Sequence, residues 1–475
     1  MASAIYLVAS LLPWLAGTGL AWLCLPRGRP GTLALALGYG YLLGMLLVMG
    51  LLLAFDCLGL ELAALPLVAT LAPLAAGIAF AAYRRHGEGP GRAAPAAASF
   101  AARALTALLL ILVLVRLGLL AAELLSRPLY AWDAWMNWAP KAAVWFHEQR
   151  LVPFVPPGEW LAAAPDSGVY TLGNRAASAY PPGVPLIILW HMLAAGSAES
   201  SLAFLPWALL LLALGAACWG FLRGLGAAPV TAAAAVFALV SLPLLNVHVA
   251  LTGYADLWLA GYFGLATLAL AGWARDRTPG LLVLALLLAL GATLVKKPGL
   301  AFAGVIVVLA AARALGWSMR TWGALLLACA LAVASLFVFQ LELPLPGGAT
   351  LGFDGTFLRL PYLGSLRLAA HPLPPILAEN LFFSANWHLL WPALLLAIAA
   401  SCIRRGRAVL ADALLQAIAV ALALLYFVFG FTQYFDQAVN LVTLSRTLLY
   451  PALPAVVFCL RELDAWLPRT GERSD

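Results

Sequence analysis

Apolar runs near twenty residues recur along this 475-residue chain, and they limit the fold before any motif is read. A run of that length, at a helical rise of about 1.5 Å per residue, matches the hydrocarbon thickness of a bilayer. In lipid every backbone N–H and C=O must be satisfied within its own segment, so such runs form helices. A barrel would show short alternating segments instead. With 64% hydrophobic and 10% charged residues, a soluble core is excluded. The expected fold class is an all-α polytopic membrane protein.

Taking each run as a helix places spans near 3–24, 33–55, 62–83, 103–124, 202–222, 229–249, 256–274, 279–296, 298–315, 322–343, 386–402, 408–430 and 446–463. That makes about thirteen transmembrane helices. The first lacks a positive n-region and is followed by Arg27 and Arg29, so it is expected to be a retained helix and not a signal peptide. Arginine positions test the count, because positive charge gathers in alternate, cytoplasmic connections. Arg27 and Arg29; Arg84, Arg85 and Arg92; Arg223; Arg275 and Arg277; Arg313 and Arg320; Arg404, Arg405 and Arg407; and a tail with Arg461, Arg469 and Arg473 do alternate. The expected topology has the N-terminus outside, the C-terminus inside, and the long connections 125–201 and 344–385 extracytoplasmic. The apolar stretch Pro182–Ala195 is short for a span and is expected to lie in, or dip into, the outer interface. Three arrangements follow: extra N-terminal helices over 1–103, a core over 104–463 and a tail over 464–475.

The polar residues that this topology gathers outside are few. YAWDAWMNWAPK carries Asp133, amid tryptophans, and Lys141, one of only three lysines. The other two, Lys296 and Lys297, occupy VKKPG, where an outgoing helix turns back. Two adjacent lysines at membrane level are costly unless they snorkel to headgroups or meet an anion. Asp256 opens a span in NVHVALTGYADLWLA, near His248 and Tyr254, where it serves either a reaction or the helix dipole. Arg446, in SRTLLYPALP, has the planar fork that suits phosphate oxygens, or anchors to a headgroup. Arg116 and Glu123 lie within the fourth span without an evident partner. The tryptophans form an aromatic belt or cover a sugar face.

Other chemistry has no foothold. There is no Walker motif, no GxGxxG after a strand, no HExxH, and no GxSxG with a credible histidine and acid. His86, His147, His191, His248, His371 and His388 make no metal-ligand spacing. The six cysteines are scattered, without CxxC. No metal or cofactor is expected, a divalent ion being left only carboxylates, and no nucleic acid partner. The alanine-rich composition and the preference for arginine over lysine look like a high-GC bacterial genome, and the expected location is the bacterial inner membrane.

Over roughly 104–463 these motifs together resemble the GT-C class of polyprenyl-phosphate-sugar-dependent glycosyltransferases, in particular the protein O-mannosyltransferase and lipid A aminoarabinose transferase branch. WDAW at Asp133 is similar to the acid of that class's first long loop. YPPGVPLIILW at Tyr180–Trp190 is similar to its Pro-Pro element and interfacial helix. GYADLWLA at Asp256, LVKKPGLA, and SRTLLYPALP complete the order. Three helices before the core, a doubled lysine, and the absence of a C-terminal soluble domain depart from the pattern. The resemblance implies a GT-C-like bundle with interfacial helices in the first long loop. It implies transfer of a sugar from a polyprenyl-phosphate donor to a lipid, glycan or protein acceptor, with inversion. In that scheme Asp133 is the general base, Asp256 orients the acceptor or sugar or supports Asp133, and Lys296 or Lys297 with Arg446 binds the donor phosphate. Trp135, Asn137, Lys141, Tyr180, His248 and Tyr254 are the expected substrate-binding residues. The rival expectations are a transporter or flippase of a lipid-linked or anionic substrate, and a polysaccharide polymerase or ligase.

Overall fold

The computed structural model describes residues 2–86, 99–316, 321, 323–324, 327, 331, 334–335, 338–345, 350–441 and 443–467. The chain is a membrane protein, mostly (74%) helical. Its first helices are α1 (Ala2–Cys24), α2 (Thr32–Cys57), α3 (Ala64–His86), α4 (Phe100–Ser126), α5 (Ala139–Glu148), α6 (Pro157–Ala162) and α7 (Gly183–Ala195). Then come α8 (Pro206–Gly224), α9 (Pro229–Val240), α10 (Pro243–Ala250), α11 (Asp256–Asp276), α12 (Pro279–Val295) and α13 (Gly299–Ala314). Later helices include Leu373–Ala378, Leu390–Arg405, Ala413–Phe431, Thr443–Thr447 and Ala452–Trp466. Among the described residues seven helices are long and apolar enough to cross a bilayer, or up to eight if the bent pair α9 and α10 is one span. The predicted span 322–343 lies in part outside the described residues.

Three sequence expectations need correction. The span expected at 229–249 is broken by 58° between α9 and α10. Pro243 explains the break, since it cannot donate a helical hydrogen bond and it pushes Leu242 into an extended conformation (φ −59°, ψ 121°). The span expected at 446–463 is likewise divided. Arg446 stands on the short helix Thr443–Thr447, and the long helix begins only after Pro451. The connection 344–385, expected as a long extracytoplasmic loop, carries most of an antiparallel meander of β1 (Glu342–Pro344), β2 (Thr350–Phe353), β3 (Phe357–Leu360) and β4 (Gly364–Arg367), in that spatial order. Outside this small meander the described chain is helical, as expected of an all-α membrane protein.

The N-terminal helices are built into the same core as the rest. Small residues allow α1 and α2 to approach closely, Gly40 and Gly44 lying against the backbones of Thr18 and Pro13. The Tyr262 hydroxyl donates to the Leu42 carbonyl at 2.9 Å and the Trp190 indole to the Ala9 carbonyl at 2.9 Å. All but the last residue of α7 are buried, so protein surrounds this short apolar helix.

Arginine-bearing connections collect at one end of the bundle. Arg29 pairs with Asp276, and Arg277 donates to the Arg313 carbonyl at 3.0 Å. Arg404 and Arg405 reach the buried Glu462 carboxylate at 2.5 and 3.0 Å. Asp464 accepts from the Ala228 amide at 3.1 Å and the Thr231 hydroxyl at 2.6 Å. A different set of connections meets at the other end. Asp56 accepts from the Leu151 amide at 2.8 Å, Ser201 donates to the Leu125 carbonyl at 3.1 Å, and the Leu244 amide donates to Asn386 at 3.3 Å. Arg116 finds a partner in Asn246, at 3.2 Å, and Glu123 pairs with Arg127 at 2.7 Å.

Candidate functional site

Four charged residues far apart in sequence meet in one chain of ion pairs. Asp133 receives the Arg446 guanidinium at 2.5 Å; the same guanidinium nitrogen lies 3.9 Å from Asp256, and Asp256 holds the Lys296 ammonium at 2.6 Å. Local sequence sets each position. Pro140 removes an amide from the helix ladder, and the preceding residues Ala134–Trp138 widen into a π-turn whose closing bond runs from the Ala139 amide to the Ala134 carbonyl. Asp133 precedes this turn, and Asn137 on it donates to the Asp133 carboxylate at 3.4 Å. α12 ends at Val295, before the Lys297–Pro298 step, and Lys296 is extended at φ −154° and ψ 147°, so its side chain leaves the helix for Asp256.

Asp256 is the first residue of α11, yet its carboxylate does not cap that helix. It is fully buried, and one oxygen accepts from both Lys296 and the Tyr450 hydroxyl, the latter at 2.7 Å. An ion buried this deeply persists because cations and hydrogen bonds replace its lost hydration. Tyr450 was not singled out by sequence. Its spacing of four residues from Arg446, the helical interval that brings two side chains to one face, was the available signal.

The remaining predicted residues divide. Tyr254 lies under the Arg446 guanidinium, 5.2 Å from ring centre to charge, and its ring meets His248 at 5.0 Å. His248 itself is bonded to the Leu244 carbonyl at 2.8 Å and makes no hydrogen bond to Asp256. Asn137 accepts from Asn174 at 2.8 Å, and Tyr180 stacks on Trp138 at 5.2 Å. Lys297 does not join its neighbour at Asp256 but lies 5.8 Å from the Tyr180 ring centre. Lys141 is buried, donates to the Ser178 carbonyl at 3.1 Å, and has its proton affinity pushed down to about 8 by burial and by the charge of Lys297. Trp135 stays 48% exposed and takes no part in the ion-pair chain. Among the described residues no group of three or more His, Cys, Asp or Glu side chains is placed to hold a metal. Two cavities, one beside Arg29 and Asp276 and a larger open one lined by Asp56, Glu61, Glu148 and Arg150, include no residue of the chain of ion pairs.

Gly253 lets the Asp133 turn approach α11. It has φ +95°, and an added Cβ would overlap the Ala134 side chain. Gly59, at φ +69°, has open space around it. Both substitutions to alanine incur left-handed backbone strain of about 1–2 kcal/mol, but only Gly253→Ala adds a clash. Thermal denaturation should show a clearly larger drop in Tm for Gly253→Ala than for Gly59→Ala. Equal drops would mean that the approach of Ala134 is not tight.

Comparison with protein-family models, with curated proteins and with solved structures finds no match to this chain.

Proposed function

We propose that this protein is an integral membrane glycosyltransferase that moves a sugar from a polyprenyl-phosphate donor to an acceptor on the extracytoplasmic side, with inversion. The observation that carries the proposal is the shared guanidinium of Arg446, which joins Asp133 to Asp256 and, through it, to Lys296. A carboxylate beside cations is what this transfer needs: a base for the acceptor hydroxyl and positive charge for the leaving phosphate. Asp133 takes the acceptor's proton as the acceptor oxygen bonds to the anomeric carbon. The bond from that carbon to the phosphate oxygen breaks with its electron pair, leaving a phosphate monoester on the lipid. Arg446 and Lys296 face that phosphate, and Asp256 holds these two cations in place.

Arg446 is shared between two roles: its guanidinium holds the Asp133 carboxylate at 2.5 Å and offers its charge to the leaving phosphate. His248, Tyr254, Asn137 and Tyr180 line the substrate side.

In this proposal the chain crosses a bacterial inner membrane about thirteen times in a GT-C-like arrangement, the shorter helices α12, α13, Leu390–Arg405 and Ala452–Trp466 also crossing. The gathering of arginine-bearing connections at the end opposite Asp133 supports placing Asp133 outside.

The test is native mass spectrometry of the purified chain with added undecaprenyl phosphate. A one-to-one adduct is expected, weakened about tenfold or more in Arg446→Gln by the loss of a charge-assisted contact. No adduct with the unaltered protein, or equal affinity of the variant, overturns the donor assignment.

A further inference from the structure

The charges around Asp133 do not cancel. Asp133 and Asp256 are engaged by Arg446 and Lys296, but Lys141 and Lys297 remain beside them. These two lysines act on each other electrostatically. Among the described residues neither ammonium has a carboxylate within 4.0 Å. Lys141 is only 3% exposed and spends one of its three N–H groups on the Ser178 carbonyl at 3.1 Å, with the Phe154 ring centre 5.6 Å away. Lys297 has the face of Tyr180. Two like charges held together with so little compensation are costly unless an anion joins them.

One donor phosphodiester does not account for both. It brings a single negative charge, and the cations nearest the base already stand at Arg446 and Lys296. The lysine pair meets the segment before α7, Lys141 at the Ser178 carbonyl and Lys297 at the Tyr180 ring; Trp138, which stacks on Tyr180, ends the π-turn, and the amides of Asn174 and Asn137 lead from there back to Asp133 at 2.8 and 3.4 Å. Amides and a partly exposed aromatic ring are groups that a sugar ring meets well. We infer that Lys141 and Lys297 form a second anion subsite, which binds an acidic substituent, carboxylate or phosphate, on the carbohydrate handled at Asp133. The inference rests on the glycosyl-transfer proposal and deepens it: the carbohydrate at this site is an acidic one.

The experiment measures binding to the purified full chain in detergent at neutral pH, with four probes: glucuronate, glucose 6-phosphate, glucose and farnesyl phosphate. At least one acidic sugar should bind about tenfold tighter than glucose, as expected for a contact to a charged group, and the better of the two identifies the substituent. Lys141→Met and Lys297→Met should each abolish that preference while leaving farnesyl phosphate affinity within about threefold. Lys297 is partly exposed, so its variant carries the test if Lys141→Met does not fold. Acidic sugars that bind no better than glucose overturn the subsite. So does loss of farnesyl phosphate together with the acidic sugar in both variants, which assigns the lysines to the donor phosphate. If acidic sugars bind as described but farnesyl phosphate does not bind the unaltered chain, the polyprenyl donor proposal falls and the subsite stands.

Discussion

Asp133→Asn should lower the proposed glycosyl transfer by about 10²–10⁴-fold, the usual contribution of a positioned general base, while leaving phosphate binding intact or tighter. The two halves of this expectation have different causes. An asparagine has nearly the shape of aspartate and can turn its one carbonyl oxygen to Arg446, which reaches Asp133 Oδ2 at 2.5 Å, giving up the 3.4 Å contact that Asn137 makes to Oδ1. It cannot accept the acceptor's proton. It also no longer neutralises Arg446, so more of that guanidinium's charge is available to a phosphate. If Asp133 served only to hold Arg446 in place, the same change would loosen the arginine and weaken phosphate binding. Turnover by the purified variant, measured beside its affinity for undecaprenyl phosphate, separates the two roles. Near-normal turnover removes Asp133 as the base, and a large loss of phosphate affinity makes it an anchor.

The residues of the ion-pair chain were legible in the sequence because this chain uses charge so sparingly. In 475 residues there are only three lysines, and the alternation of arginines places Asp133, Asp256, Lys296 and Arg446 on one side. Scarcity and side give membership of a cluster but no pairings. Nothing in VKKPG distinguishes two adjacent lysines; the extended backbone at Lys296 sends one to Asp256 and the other to Tyr180. Hydropathy also conceals breaks, since a helix interrupted at Pro243 averages as apolar as a continuous one. The prolines themselves were the signal there, as at Pro451. The meander was missed because its strands are at most four residues long, too short for an alternating pattern to stand out. Its Asp354–Gly355 step was readable. Asp354 accepts from the Thr356 and Phe357 amides at 3.0 and 2.7 Å, and Gly355 takes φ +92°, as a hairpin between two apolar runs requires. Partners for Arg116 and for the Asp256 hydroxyl donor Tyr450 lie 130 and 194 residues away, beyond any local pattern.

Asp256→Asn should be the more damaging change for stability, although the substitution is chemically the same as at Asp133. The Asp256 carboxylate is fully buried, whereas the Asp133 side chain is 15% exposed. One Asp256 oxygen faces two donors, Lys296 at 2.6 Å and Tyr450 at 2.7 Å, so an asparagine must place its carbonyl there. Its NH₂ group then faces the Arg446 guanidinium 3.9 Å away, a donor against a cation. Removing one partner of a buried ion pair costs about 3–5 kcal/mol, because the cation left behind keeps its desolvation without its attraction. The expected result is a lowered unfolding midpoint in detergent, accompanied by loss of transfer as Lys296 and Arg446 lose their shared anchor. Lys296→Met provides the control, since it removes the cation that Asp256→Asn leaves unpaired. If the pair acts as a unit, the double variant is less destabilised than the sum of the single ones, with a coupling of about 0.5–3 kcal/mol. Strict additivity would mean that Lys296 draws its compensation from water at its 21% exposed side chain, and Asp256 would then be the counter-ion of Arg446 alone.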